Sequence, residues 1–167
     1  MRMKKILLLT FIAFLAVTPL SLAKGRTVVS NGVFQVTIEI TNAYYFAADA
    51  DGIENDIAAE FTLNVEHEGM YCCMNKVVDF YFLASLKCPS GYYYDYLYQF
   101  ICVLDTYATP TIYFYNHAGE AGWYQVILTC YLPYYANYYV YGSDCFAFDP
   151  PGGDEGAGGP LQCEIKL

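Results

Sequence analysis

Apolar and polar residues alternate one for one along most of this chain. From Phe34 to Ile40, the residues Phe34, Val36, Ile38 and Ile40 fall on one side and Gln35, Thr37 and Glu39 on the other. From Ile57 to Glu66 the pattern repeats, with Ile57, Ala59, Phe61, Leu63 and Val65 opposite Glu60, Thr62, Asn64 and Glu66. Val78, Phe80, Phe82, Ala84 and Leu86 share a face of the third run. A period of two marks a strand with one face buried and one wetted. Pro89-Ser90-Gly91 has turn chemistry, and further strand-like runs follow at 92–104, 111–116, 123–132 and 138–148.

Seven such runs with turns between them predict an all-β fold, an antiparallel β-sandwich, with a closed barrel as the alternative closure. The expected core includes Phe34, Val36, Ile38, Phe61, Leu63, Phe80, Phe82, Tyr124, Val126 and Leu128. Residues 150–160 are rich in Gly and Pro and read as a linker between the sandwich (24–149) and a C-terminal strand (161–167). In that strand Leu161, Cys163, Ile165 and Leu167 share one face. A flexible linker of this length spans roughly 18–20 Å. It lets the strand dock on an edge of its own sandwich or, by strand exchange, on that of a neighbouring copy.

Composition adds the compartment. Arg2, Lys4 and Lys5, an apolar stretch from Ile6 to Val17 and the small residues ending at Ala23 form a secretory signal peptide (1–23). No later stretch is long and apolar enough to span a bilayer, so the mature chain is expected to be secreted or held at the cell surface. Without that segment, five basic residues (Lys24, Arg26, Lys76, Lys87, Lys166) face all 17 acidic ones, a net charge of −12. Such a surface repels phosphate backbones and excludes nucleic acid as a partner. Seven cysteines (Cys72, Cys73, Cys88, Cys102, Cys130, Cys145, Cys163) in an exported chain are disulfide candidates. Their connectivity is open, and an odd count leaves one thiol free or intermolecular.

One motif refines the fold. The stretch Glu120 to Val126, "EAGWYQV", resembles the acidic-x-Gly-x-Tyr-x-hydrophobic lead into strand F of immunoglobulin-like domains. That resemblance implies an immunoglobulin-like β-sandwich in which Gly122 and Tyr124 form a tyrosine corner, the hydroxyl bonding back to nearby backbone. Val126 stands where antibody-type domains carry a cysteine, and the third run lacks a tryptophan. The resemblance is therefore to the broad class.

Chemistry-bearing residues are few. Between the first two runs, Asp49, Asp51, Ile53 (through its carbonyl), Asn55 and Asp56 crowd oxygen ligands around Gly52. The spacing is similar to the acidic calcium loops between strands of secreted proteins, and it implies weak, structural Ca²⁺ binding. Ala47 occupies the first ligand position, and a plain acidic turn is the competing reading. His67 and His117 are the only histidines, both in loop-like surroundings, and no hydrolase or phosphate-loop motif is present. The chain does not read as an enzyme. Its 19 tyrosines are its most unusual feature. Tyr92, Tyr94, Tyr96 and Tyr98 share one strand face, which reads as sheet stabilisation or as an interface or ligand face.

Together these readings predict a non-catalytic extracellular structural or interaction protein, a filament or adhesin-like subunit. The alternative is a carbohydrate-binding module that uses exposed tyrosines.

Overall fold

The computed structural model describes residues 27–28, 34–49, 51–67, 77–103, 105–131, 140–148 and 159–167. The signal peptide, the linker 150–158, and Cys72 and Cys73 lie outside the described residues, as do the side chains of Phe34 and His67.

The described chain is all β: two antiparallel sheets face each other as a sandwich. Ten strands run in chain order, β1 (Thr27–Val28), β2 (Phe34–Phe46), β3 (Asp56–His67), β4 (Val77–Lys87), β5 (Tyr93–Val103), β6 (Thr106–Ala108), β7 (Thr111–Tyr115), β8 (Tyr124–Tyr131), β9 (Val140–Phe148) and β10 (Gln162–Lys166). One sheet has the order β1-β9-β8-β4-β5 and the other β10-β7-β3-β2, with β6 also on β3.

The alternation seen in sequence becomes burial. Val36, Ile38 and Ile40 of β2, Ile57, Phe61 and Val65 of β3, and Phe80, Phe82 and Leu86 of β4 are buried between the sheets, as are Tyr124, Val126 and Leu128 of β8. Phe61 and Phe82 stack across the gap with centroids 5.4 Å apart, and Phe100 meets Phe82 edge-on at 5.1 Å. All the expected core residues whose side chains are described are buried.

Two local features depart from simple alternation. A β-bulge between Ile40 and Asn42 shifts the phase of β2, so that Ala43 and Tyr45, rather than their neighbours, continue the inner face. The freed Ile40 amide donates to the buried Asp144 carboxylate, which crosses from β9 of the other sheet, at 2.7 Å. The short β6 escapes detection from pattern because Pro110 interrupts it. β6 and β7 lie along β3 in one continuous register, Leu63 opposite Ala108 and Glu60 opposite Thr111. Pro110 has no N–H to add to the ladder, but its carbonyl accepts from the Phe61 amide at 3.1 Å.

The C-terminal strand pairs with β7 of the same chain over its full length, from Gln162 opposite Tyr115 to Lys166 opposite Thr111. Cys163 and Ile165 turn inwards against the core. Among the described residues no helix is long and apolar enough to cross a membrane.

Candidate functional site

The strongest concentration of polar chemistry lies at one end of the sandwich. There the β2–β3 loop, the end of β7 and the start of β10 converge. Asp56 organises it. Fully buried, its carboxylate accepts three backbone amides: Ala48 at 2.6 Å and Asp49 at 3.0 Å on one oxygen, Asn116 at 2.7 Å on the other. A buried carboxylate needs such partners, since each charge-assisted bond offsets part of its lost hydration.

The rest of the acidic loop caps its own turns. Asp49 accepts the Asp51 amide at 3.3 Å, and Asp51 accepts the Ile53 amide at 2.8 Å. The Ile53 carbonyl accepts the Asn55 amide at 3.0 Å. Gly52 sits at φ +81°, the left-handed conformation that this tight turn requires. The Asn55 side chain donates to Asn116 Oδ1 at 3.0 Å, and the Asn55 carbonyl accepts the Ala118 amide at 2.8 Å. Asn116 in turn donates to Asp49 Oδ2 at 3.1 Å and to the Pro160 carbonyl at 3.3 Å. The structure therefore brings Asp49, Asn55 and Asp56 together around Asn116, a residue the sequence pattern did not single out. Asp51 and Ile53 stay on the loop's own turns. Among the described residues, no three His, Cys, Asp or Glu side chains gather closely enough to hold a metal ion.

Beside this knot lies a groove of about 370 Å³, lined by residues that include Asp49, Tyr115, Asn116, Gln162 and Glu164. Tyr115 donates to Glu164 at 3.0 Å and accepts from Lys166 at 3.3 Å. Its ring stacks on Tyr113 at 5.9 Å, over which the Lys166 ammonium also sits.

His117 forms the inner wall of this end. It is buried, with Nδ1 2.6 Å from the Tyr115 carbonyl and Nε2 2.7 Å from the Tyr96 hydroxyl. A carbonyl only accepts, so Nδ1 carries the proton and Nε2 accepts from Tyr96. Burial pushes its pKa down, which keeps the ring neutral. Both nitrogens are spent on structure.

The tyrosine stripe of β5 faces inwards. Tyr94, Tyr96 and Tyr98 are half-buried against the core, and Tyr94 and Tyr96 meet His117 edge-on. Tyr98 hydrogen-bonds Cys163 across the sandwich, and burial pushes its phenol pKa up. Of the four, only Tyr92 is exposed, at 61%. It is the opposite side of β5 that faces solvent.

At the corner leading into β8, the Tyr124 hydroxyl accepts the Glu120 amide at 2.8 Å and donates to the Glu120 carbonyl at 3.0 Å. Gly122 adopts φ +121°, and a Cβ there would lie 3.2 Å from Pro89. The Glu120 carboxylate also accepts the Ser90 amide at 2.7 Å and hydroxyl at 2.8 Å, pinning the β4–β5 turn to this corner.

The described cysteines correct the disulfide expectation: Cys88, Cys102, Cys130, Cys145 and Cys163 are all free thiols. Four of them face other residue types across their ladders. Cys102 stands opposite Val78, Cys130 opposite Phe82 and Gly142, Cys145 opposite Ile127, and Cys163 opposite Phe114. None of these positions puts two cysteines in direct register.

No protein-family model matches the chain, and no curated protein or solved structure matches it either.

Proposed function

We propose that this chain is a non-catalytic extracellular structural subunit that works through protein–protein contact, with the C-terminal strand 161–167 as a joint between copies. The observation that carries this reading is β10. It completes a sheet edge by a five-residue antiparallel ladder, yet Gly/Pro-rich residues separate it from the rest of the sandwich. A strand of this kind can leave its own β7 and take the same place on a second copy, a head-to-tail contact that extends into a filament. Tethering favours docking at home in dilute solution, so exchange belongs to crowded or freshly folding material.

The reading of the sandwich as immunoglobulin-like is supported by the pairing of β3 with β7, of β4 with β8 and of β8 with β9, and by the Tyr124 corner. Export and surface location rest on the N-terminal sequence. Weak calcium binding would draw on the exposed carboxylate of Asp51 together with Asp49.

Deletion of residues 160–167 tests the proposal. Refolded at high concentration, the chain 24–167 should form larger species by sedimentation velocity, and the deletion variant should not. The same size distribution for both would leave β10 as a self-capping strand and remove the filament reading.

The groove beside Tyr115 favours a second reading, a glycan-binding module: it joins an aromatic ring to Asp49, Asn116 and Glu164, groups that hydrogen-bond sugar hydroxyls. Glycan-array binding lost on Tyr115→Ala would support it, and binding unchanged by that substitution would remove it.

A further inference from the structure

The edge of the sheet at β5 differs from every other described edge. β1 is only two residues long. β10 has five, and its exposed positions carry Glu164 and Lys166. β2 is interrupted by its bulge and capped at Ile40 by Asp144. Short strands, charges, bulges and inward-pointing carboxylates are the devices by which sheets prevent edge-to-edge pairing. β5 has eleven residues, pairs with β4 in unbroken register, and contains no Lys, Arg or Pro. Its one charge, Asp95, is tied down by the Ser85 hydroxyl at 2.5 Å. From Tyr96 to Val103 it carries no charge at all.

The outward side chains of the same strand are apolar. Leu97 is 64% exposed and Ile101 68%, with Val103 beside them and Val77 opposite it on β4. The nearby polar groups are satisfied within the sheet: Gln99 donates to both Asp79 oxygens, at 3.0 and 2.9 Å. Among the described residues nothing pairs with this edge, which is roughly 36 Å long and bordered by aliphatic side chains.

We infer that β5 is a homodimer interface, pairing antiparallel with β5 of a second copy about a two-fold axis near Gln99. Charge selects this occupant. A heterologous partner of so acidic a chain would be basic and would seek carboxylates, which the stretch from Tyr96 to Val103 does not offer. A second acidic copy can approach only where charge is absent, and the stretch from Tyr96 to Val103 is such a place. An antiparallel strand edge is also complementary to itself, as an isologous contact requires. The register about Gln99 sets Leu97 of each copy opposite Ile101 of the other and fuses two five-stranded sheets into one of ten. This inference extends the protein-contact reading above, but it uses a different edge.

The test is sedimentation velocity of the reduced chain 24–167 over a concentration series, beside Leu97→Lys and Ile101→Glu. Both sites are exposed, so the melting temperature checks that each variant folds. The expected result is a monomer–dimer equilibrium whose dissociation constant rises about 100-fold in either folded variant, because each sets an unpaired charge in the contact. A wild-type chain that stays monomeric throughout, or folded variants that dimerise as tightly as wild type, would overturn the inference. The deletion of residues 160–167 separates the two ideas. A dimer that survives the deletion and weakens in the Leu97→Lys chain upholds the β5 interface, and its absence sinks it. Larger species formed by the full chain and lost on deletion uphold strand exchange, and sizes unchanged by the deletion sink it.

Discussion

Asp56 is the residue on which the polar end of the sandwich depends, and Asp56→Asn is its sharpest test. The substitution keeps size and shape. In its better orientation the amide oxygen still faces the Ala48 and Asp49 amides, without the negative charge. The amide nitrogen then faces the Asn116 N–H, a donor against a donor. Losing charge assistance on two bonds costs about 1 kcal/mol each. An unsatisfied buried donor adds about 1–3 kcal/mol, for a total of about 4 kcal/mol. For a domain of this size that lowers the melting temperature by roughly 12 °C. Urea denaturation should show the loss at an unchanged slope, which keeps the comparison within two-state unfolding. Amide hydrogen exchange supplies the local readout: Ala48, Asp49 and Asn116 should lose protection ahead of the β4 and β8 amides. A loss below about 1 kcal/mol, less than the unsatisfied donor alone should cost, or three amides that keep their protection, would refute this account of the loop.

Because the loop closes on its own amides, chelator-treated protein should keep its strand signal in circular dichroism. Collapse on chelation would mean that an ion does the work assigned to Asp56. Tyr124→Phe removes one hydroxyl that serves both the amide and the carbonyl of Glu120. It should cost about 1–2 kcal/mol in urea denaturation, and an unchanged midpoint would deny the corner a stabilising role. Alkali should destabilise the fold. Burial pushes the Cys163 thiol up from 9.0 to about 12 and the Cys88 thiol up from 9.0 to about 11. The folded state therefore holds protons that the unfolded chain releases. The stability these neutral thiols contribute is complete below about pH 9 and is lost as pH rises through the folded values. Urea midpoints should fall from pH 9 towards pH 11, and Cys163→Ala should flatten part of that fall. A midpoint constant over this range would count against neutral buried thiols.

Strand existence was legible because one face of each long strand is buried, which forces the period of two on Val36, Ile38 and Ile40 and on Phe80, Phe82 and Leu86. The tail of β2 was not, because a bulge reverses its phase and periodicity carries no signal for the extra residue. The tyrosine stripe was visible as a stripe, but not its direction. β5 has apolar residues on both sides, so Tyr94, Tyr96 and Tyr98 compete with Leu97 and Ile101 for the interior, and only the sheet's place at the sandwich edge decides between them. In the acidic loop the residue types were plain and their partners were not. Asn116 lies 60 residues from Asp56, and the asparagine before His117 looks like any strand-end turn. Cysteine count suggested disulfides, but pairing depends on the distance and direction between Cβ atoms, which composition does not contain.

The central claim, that β10 joins one copy to the next, is tested most directly by a disulfide placed across the β7–β10 ladder. Tyr113 and Glu164 stand directly opposite each other, so Tyr113→Cys with Glu164→Cys sets two thiols in register. The double variant is refolded at high concentration, oxidised and run beside the equally oxidised parent chain under denaturing, non-reducing conditions. Strand exchange predicts a ladder of covalent oligomers that the parent lacks and that reductant collapses to monomer. A new disulfide found only within single chains would contradict it.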